Sequence, residues 1–152
     1  LDRVIDEYYQ QIERLEEKIE RKVLESPAAQ RLLTIPGVGQ YTAAVIVAEV
    51  GEIERFDEDK QLASYAELDP VVHQSGDKEV RGSISKEGSA PLRWALVQCT
   101  NIAVRSDEYL GDFYTRLKQR KNHQIAIVAT ARKMLVSIFH MLTRKESYDP
   151  PG

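Results

Sequence analysis

The apolar residues at the start of the chain fall at Leu1, Ile5, Tyr8, Ile12, Leu15 and Ile19. Spacings of 4, 3, 4, 3 and 4 make the narrow stripe of a coiled-coil seam, with Glu13, Arg14, Glu17 and Lys18 on the other faces. About three heptads is short for an independent coiled coil. This arm, residues 1–26, therefore either packs along its own domain or pairs with another copy. A second helix is expected over Ala28 to Leu33, closed by Thr34, Ile35, Pro36 and Gly37. Tyr41 to Val50 reads as a helix of small and apolar residues stopped by Gly51, and Asp57 can cap another that runs to about Leu68, before Asp69 and Pro70.

Residues 71–88 break the helical period. Val71 and Val72 are β-branched, and Gly76, Gly82 and Gly88 punctuate serines and charges, as in a long loop or irregular hairpin. Helical patterning returns over Ser89 to Arg105, Asp107 to Arg120 and His123 to Thr143. Trp94 and Cys99, among Leu92, Ala95, Leu96, Val97 and Ile102, read as core; Ile125, Val128, Leu135, Ile138, Phe139 and Leu142 read as the buried stripe of the last helix. Pro150 and Pro151 predict a loose tail over residues 148–152. The expected class is all-α: an N-terminal coiled-coil-like helix, then a compact helical domain over 27–147 with one long irregular loop.

Charge changes this picture. The 152 residues carry 21 basic and 24 acidic side chains, a net −3 that argues against a wholly basic nucleic-acid binder. The total hides a split. Residues 1–70 hold 8 basic and 16 acidic side chains, net −8; residues 71–152 hold 13 and 8, net +5. The second half therefore suits a polyanion. One cysteine excludes an internal disulfide and fits a reducing, cytoplasmic setting; it and three scattered histidines make no zinc pattern. No apolar run is expected to approach the roughly 20 residues of a membrane span, the longest candidate, Thr42 to Val50, being too short. The opening Leu1-Asp2-Arg3 is no signal peptide and has no initiator methionine, so the chain is expected to begin inside a longer protein.

Two constellations carry candidate chemistry. Leu32 to Ala44, with Pro36-Gly37-Val38-Gly39-Gln40-Tyr41 at its centre, fits a helix-hairpin-helix pattern. Two glycines permit the sharp turn, and the amides from Gly37 to Tyr41 are then candidates to hold a nucleic-acid backbone at a helix N-terminus without reading sequence. Against this, no lysine or arginine lies between Arg31 and Arg55, and the same turn serves elsewhere purely for packing. The second constellation runs from His73 through Ser75-Gly76, Lys78, Arg81, Gly82 and Lys86 to Gly88, and on to Arg93. Its four cations can surround a phosphate. A serine is a poor nucleophile without a base, a metal or charge stabilisation, and with nine serines in the chain the residues alone favour a solvated basic loop. The densest basic run, Arg116 to Lys121, is either a phosphate-binding cluster or a solvated face.

The order of these motifs carries more than any one of them. Leu33-Thr34-Ile35-Pro36-Gly37-Val38-Gly39, Thr42-Ala43-Ala44, Glu49-Val50-Gly51 and Arg55-Phe56 resemble the C-terminal domain of a prokaryotic insertion-sequence transposase family. So do Ala66 to Pro70, Ser75-Gly76, Gly82, Ile84-Ser85-Lys86-Glu87-Gly88 and Leu92-Arg93, in the same order. The resemblance covers nearly the whole chain and is strongest from Leu32 to Arg93. It implies the RNA-guided "bridge" recombinase type: an N-terminal RuvC-like domain with four metal-binding carboxylates, a linker helix matching residues 1–24, and this serine-bearing domain. It further implies Ser75 as the recombination nucleophile, a noncoding guide RNA, DNA as substrate, and a homo-oligomer, a dimer through residues 1–24. Mg²⁺ is expected in the RuvC-like domain and no cofactor in this chain, which alone should be inert. Two positions depart from the family pattern: Glu67 stands where glycine is usual, and His73 where arginine is common. The residues leave two other readings open, a non-catalytic nucleic-acid-binding and oligomerisation module, and a structural oligomerisation unit.

Overall fold

Local capping chemistry sets the element boundaries. The structure, a computed structural model, describes residues 2–69 and 88–151, and within them every regular element is helical. These are α1 (Asp2–Leu24), α2 (Pro27–Leu32), α3 (Gln40–Val50), a 3₁₀ turn (Ile53–Arg55), α4 (Asp59–Tyr65), α5 (Ala90–Ser106), α6 (Glu108–Lys118) and α7 (His123–Arg144). Ser26, Ser89, Asp107 and Asn122 each accept a backbone N–H of the helix they precede, at 2.9–3.1 Å. Proline follows in the first turns of α2 and α5, where its missing N–H leaves no bond unmade. The all-α expectation holds for the described residues.

α5 is the centre of the fold, packing against α3, α6 and α7, while α4 also packs on α7. Leu92, Ala95, Leu96, Cys99 and Ala103 form its buried face. With Leu32, Ile35, Ile46, Leu62, Leu110, Met134, Leu135 and Ile138 they make one core. Each fully buried Leu or Ile contributes roughly 1.5–3 kcal/mol. Against the expectation that no apolar run approaches a membrane span, α7 is long and apolar enough to cross a membrane by length and composition. Half of its apolar window is buried within the fold.

Three further expectations need correction. Trp94 is 47% exposed, and Ile102 and Ile125 are exposed too. Trp94 lies two residues from both Leu92 and Leu96, about 200° round the helix, so it faces away from the core. α4 has Glu58 at its N-cap position, without a side-chain capping bond, and ends at Tyr65, whereas Asp57 donates its own N–H to Gln61 Oε1. The tail is not loose at Tyr148: its N–H donates to Thr34 Oγ1 at 2.8 Å and its hydroxyl to Asp107 Oδ2 at 2.8 Å. Pro150 and Pro151 then line a cleft of about 550 Å³ with Tyr109 and Phe113, over whose rings Lys133 Nζ sits at 5.1 and 4.6 Å.

The arm leaves the body. In α1 only Val23 is buried and Ile19 packs on the core, while Ile5, Tyr8, Ile12 and Leu15 are exposed. Of the two roles open to the stripe, packing along its own domain is confined to the last turns.

Candidate functional site

The turn between α2 and α3 sorts the hairpin candidates into two groups. Gly37 has φ +105°, and a Cβ there would lie 2.8 Å from both the Ala103 nitrogen and the Cys99 carbonyl oxygen. Glycine is required here on two counts, the left-handed backbone and the close approach to α5. Val38 is buried and its N–H donates to the Ile35 carbonyl at 3.1 Å, so this amide is not available to a ligand. The outward group is Gly39, Gln40 and Tyr41, all exposed. Gly39 donates its N–H to Thr42 Oγ1 at 3.2 Å, whereas the amides of Gln40 and Tyr41, in the first turn of α3, have no acceptor inside the helix. Tyr41 meets Trp94 edge to face, ring centroids 6.1 Å apart. The apolar neighbours of Trp94 predict a core residue, which hides this exposed aromatic pair beside the turn.

Of the second constellation the structure describes the flanks. Ser75, Lys78, Arg81 and Lys86, with His73, Gly76 and Gly82, lie outside the described residues. On either side, residues 65–69 and 88–93 are fastened together. Ser89 donates its N–H to the Tyr65 carbonyl at 2.7 Å and its hydroxyl to Glu49 Oε1 at 2.7 Å. Its hydroxyl oxygen also accepts the Leu92 N–H, so one buried serine joins α3, α4 and α5. Arg93 donates from Nη1 to the Glu67 carbonyl at 2.6 Å. The guanidinium proposed from sequence for a phosphate therefore already closes this base with one of its donors.

Glu67 shows why glycine suits its position. Its φ is +59°, its N–H donates to the Ser64 carbonyl and the Leu68 N–H to the Ala63 carbonyl, at 3.0 and 2.9 Å. That is a Schellman ending, whose left-handed residue is commonly glycine. The turn is kept with glutamate in place. Arg55 completes the clasp: Nε and Nη2 donate to the Val50 and Glu49 carbonyls at 2.9 and 3.1 Å, and the guanidinium lies over Phe56 and Tyr65. The Glu49-Val50-Gly51 and Arg55-Phe56 motifs thus cap α3 and hold its end against α4 and α5.

Cys99 is buried, and burial pushes its thiol above the usual range, with partial relief from Thr42. It remains a protonated core side chain rather than a nucleophile. Among the described residues no three His, Cys, Asp or Glu side chains converge as a metal site.

Residues 29–115 match the model of the IS116/IS110/IS902 transposase family. The chain is 35% identical over 137 residues to the transposase for insertion sequence element IS1111A of Coxiella burnetii, covering 88% of this chain and 38% of that protein. It is 32% identical over 143 residues to a probable family 20 transposase of Pseudomonas aeruginosa, covering 91% and 42%. It is also 33% identical over 125 residues to the pilin gene-inverting protein of Moraxella bovis, covering 80% and 38%. The chain thus spans about two fifths of the length of these relatives. On the family match across more than half of its residues, the chain belongs to the IS116/IS110/IS902 transposase family.

Proposed function

We propose that this chain is the serine-bearing part of an enzyme of DNA transposition and recombination, acting in the cytoplasm of a prokaryote. Its relatives' names, insertion-sequence transposases and a gene-inverting protein, support the reaction class. The observation that carries the reading is the clasp: family motifs far apart in sequence converge on Ser89 and Glu49, fixing both flanks of the segment that holds Ser75. In the proposed step Ser75 Oγ attacks a DNA phosphorus. An Oγ–P bond forms, a P–O ester bond of the strand breaks, the hydroxyl proton passes to a base or solvent, and the departing strand oxygen takes up a proton to leave as a free hydroxyl end.

Lys78, Arg81 and Lys86 then hold phosphate charge, and Arg93, bound to Glu67, has its remaining donors for the same task. In the hairpin, read as helix-hairpin-helix, Gly39, Gln40 and Tyr41 face a nucleic-acid backbone, while Gly37 and Val38 set the turn. The metal-binding carboxylates belong, on this reading, to a RuvC-like domain outside the chain, and no step here runs through a metal. A guide RNA and pairing of the α1 arms into a dimer complete the assembly; the exposed stripe of α1 supports the latter. The chain alone is then inert.

The test is Ser75→Ala in the full-length protein. Loss of both the covalent protein–DNA adduct and recombination, with DNA binding retained, is the expected outcome. An adduct that persists sinks the serine assignment. If Ser75→Ala is silent while Lys78→Ala and Arg81→Ala weaken binding, the chain is a binding module instead.

A further inference from the structure

We infer that the corner between α6 and α7 is a docking surface for the phosphate backbone of duplex DNA, separate from both the hairpin and the clasp. Arg116 and Lys118 stand on the last turn of α6, and Arg120 and Lys121 in the link to α7; all four are exposed. No aspartate or glutamate occurs from Phe113 to Lys145, a run of 33 residues carrying eight lysines and arginines. The corner supplies no residue to the hairpin turn or to the hydrogen bonds of the clasp, although α7 packs farther along against α2 and α4.

Two of these charges have a role in the helix that they end. Arg116 and Lys118 suit the negative end of the α6 dipole. Arg120 and Lys121 follow the α6 C-cap Gln119, both donating N–H to the Leu117 carbonyl, and precede α7, whose first turn has no acidic residue. The corner is also held in shape. Tyr114 of α6 and His123 of α7 are joined by a 2.7 Å hydrogen bond between hydroxyl and Nδ1, with rings edge to face at 5.8 Å, and Asn122 caps α7.

Charge complementarity selects a polyanion, and the side chains select its form. Residues 118–124 at the corner are exposed and offer only cations, amides and an imidazole. Tyr114, the nearest aromatic, is half-buried and bonded to His123. Binders of single strands add exposed aromatic platforms for unpaired bases, and this corner has none. A duplex presents the denser row of phosphates and needs no such platform. The choice of DNA rests on the proposed recombination function; the placement of the surface rests on charge alone.

The test measures anisotropy of a labelled duplex of arbitrary sequence, with a single-stranded RNA as the other arm, over roughly 50–200 mM salt. Arg120→Gln/Lys121→Gln is compared with Arg14→Gln/Lys18→Gln, which removes the same charge from the exposed face of α1. The corner pair should weaken duplex binding about tenfold or more and reduce the salt slope by about 2, without lowering the melting temperature. The α1 pair should do markedly less. Equal losses from both pairs, no loss from the corner pair, or a loss confined to the single strand would each overturn the inference. Ser75→Ala leaves this readout untouched, so failure here is distinct from failure of the serine assignment.

Discussion

Gly37 and Gly39 look equivalent in sequence and do different work. Gly37 combines a left-handed φ with backbone of α5 at 2.8 Å from any Cβ, whereas Gly39 has φ −100° and open space where a Cβ would go. Gly37→Ala should therefore cost about 3 kcal/mol or more, as strain and overpacking are each worth about 1–3 kcal/mol. Gly39→Ala should cost under about 1 kcal/mol, the usual scale of an N-cap change. Urea midpoints for the two variants check this. If Gly39 faces a nucleic-acid backbone, its alanine variant also weakens binding while the fold survives; unchanged affinity would count against that role. The distinction was not legible in the sequence, because both glycines satisfy the same motif and only the position of α5 separates them. Glu67 is a parallel case. A glutamate hides the left-handed stop that glycine would have announced, so α4 was extended to Leu68 when it ends at Tyr65.

Among the elements, the helices that begin on Ser, Asp or Asn were legible because the cap is a local interaction. Their joints were not. Nothing local shows that Ser89 reaches 40 residues back to Glu49, or that Arg55 bonds the end of α3. Trp94 was misplaced for another reason: its apolar neighbours suggested core, while the spacing of Leu92, Leu96, Cys99 and Ala103 already put it on the opposite face. The proposed role of Ser75 rests on family resemblance and not on residue chemistry. The clasp gives the element scale its test. Ser89→Ala removes an N-cap and the bond to Glu49, and should cost about 1–2 kcal/mol. Glu49→Ala removes the shared bond alone. A double-mutant cycle should show coupling of at least about 0.5 kcal/mol, since both single changes break the same contact. Strict additivity would mean that the clasp does not hold the two helices together.

At the scale of the molecule, the −8 and +5 halves divide along the fold: most of the acid lies on the arm and around α3 and α4, while the basic half supplies α5 to α7. Tyr148 ties the two halves, taking Thr34 from the acidic half and Asp107 from the basic one. Desolvation, then the hydrogen bond and charge of Asp107, push the Tyr148 phenol well above its usual range. The sign follows from linkage. A tyrosine in the unfolded chain releases its proton near pH 10, while the folded phenol still holds it. Its contribution to stability is therefore complete below about pH 10 and is lost as pH rises through the folded value. Tyr148→Phe keeps the ring and deletes the hydroxyl, leaving a stability deficit of about 1.5 kcal/mol at neutral pH, the low end for a bond to a charged acceptor. That deficit should shrink as pH climbs beyond about 10, because the wild type loses an advantage that the variant never had. Denaturant melts of the pair at stepped pH measure it directly. A deficit that stays constant through this range would show that the Tyr148–Asp107 bond does not fasten the tail in solution.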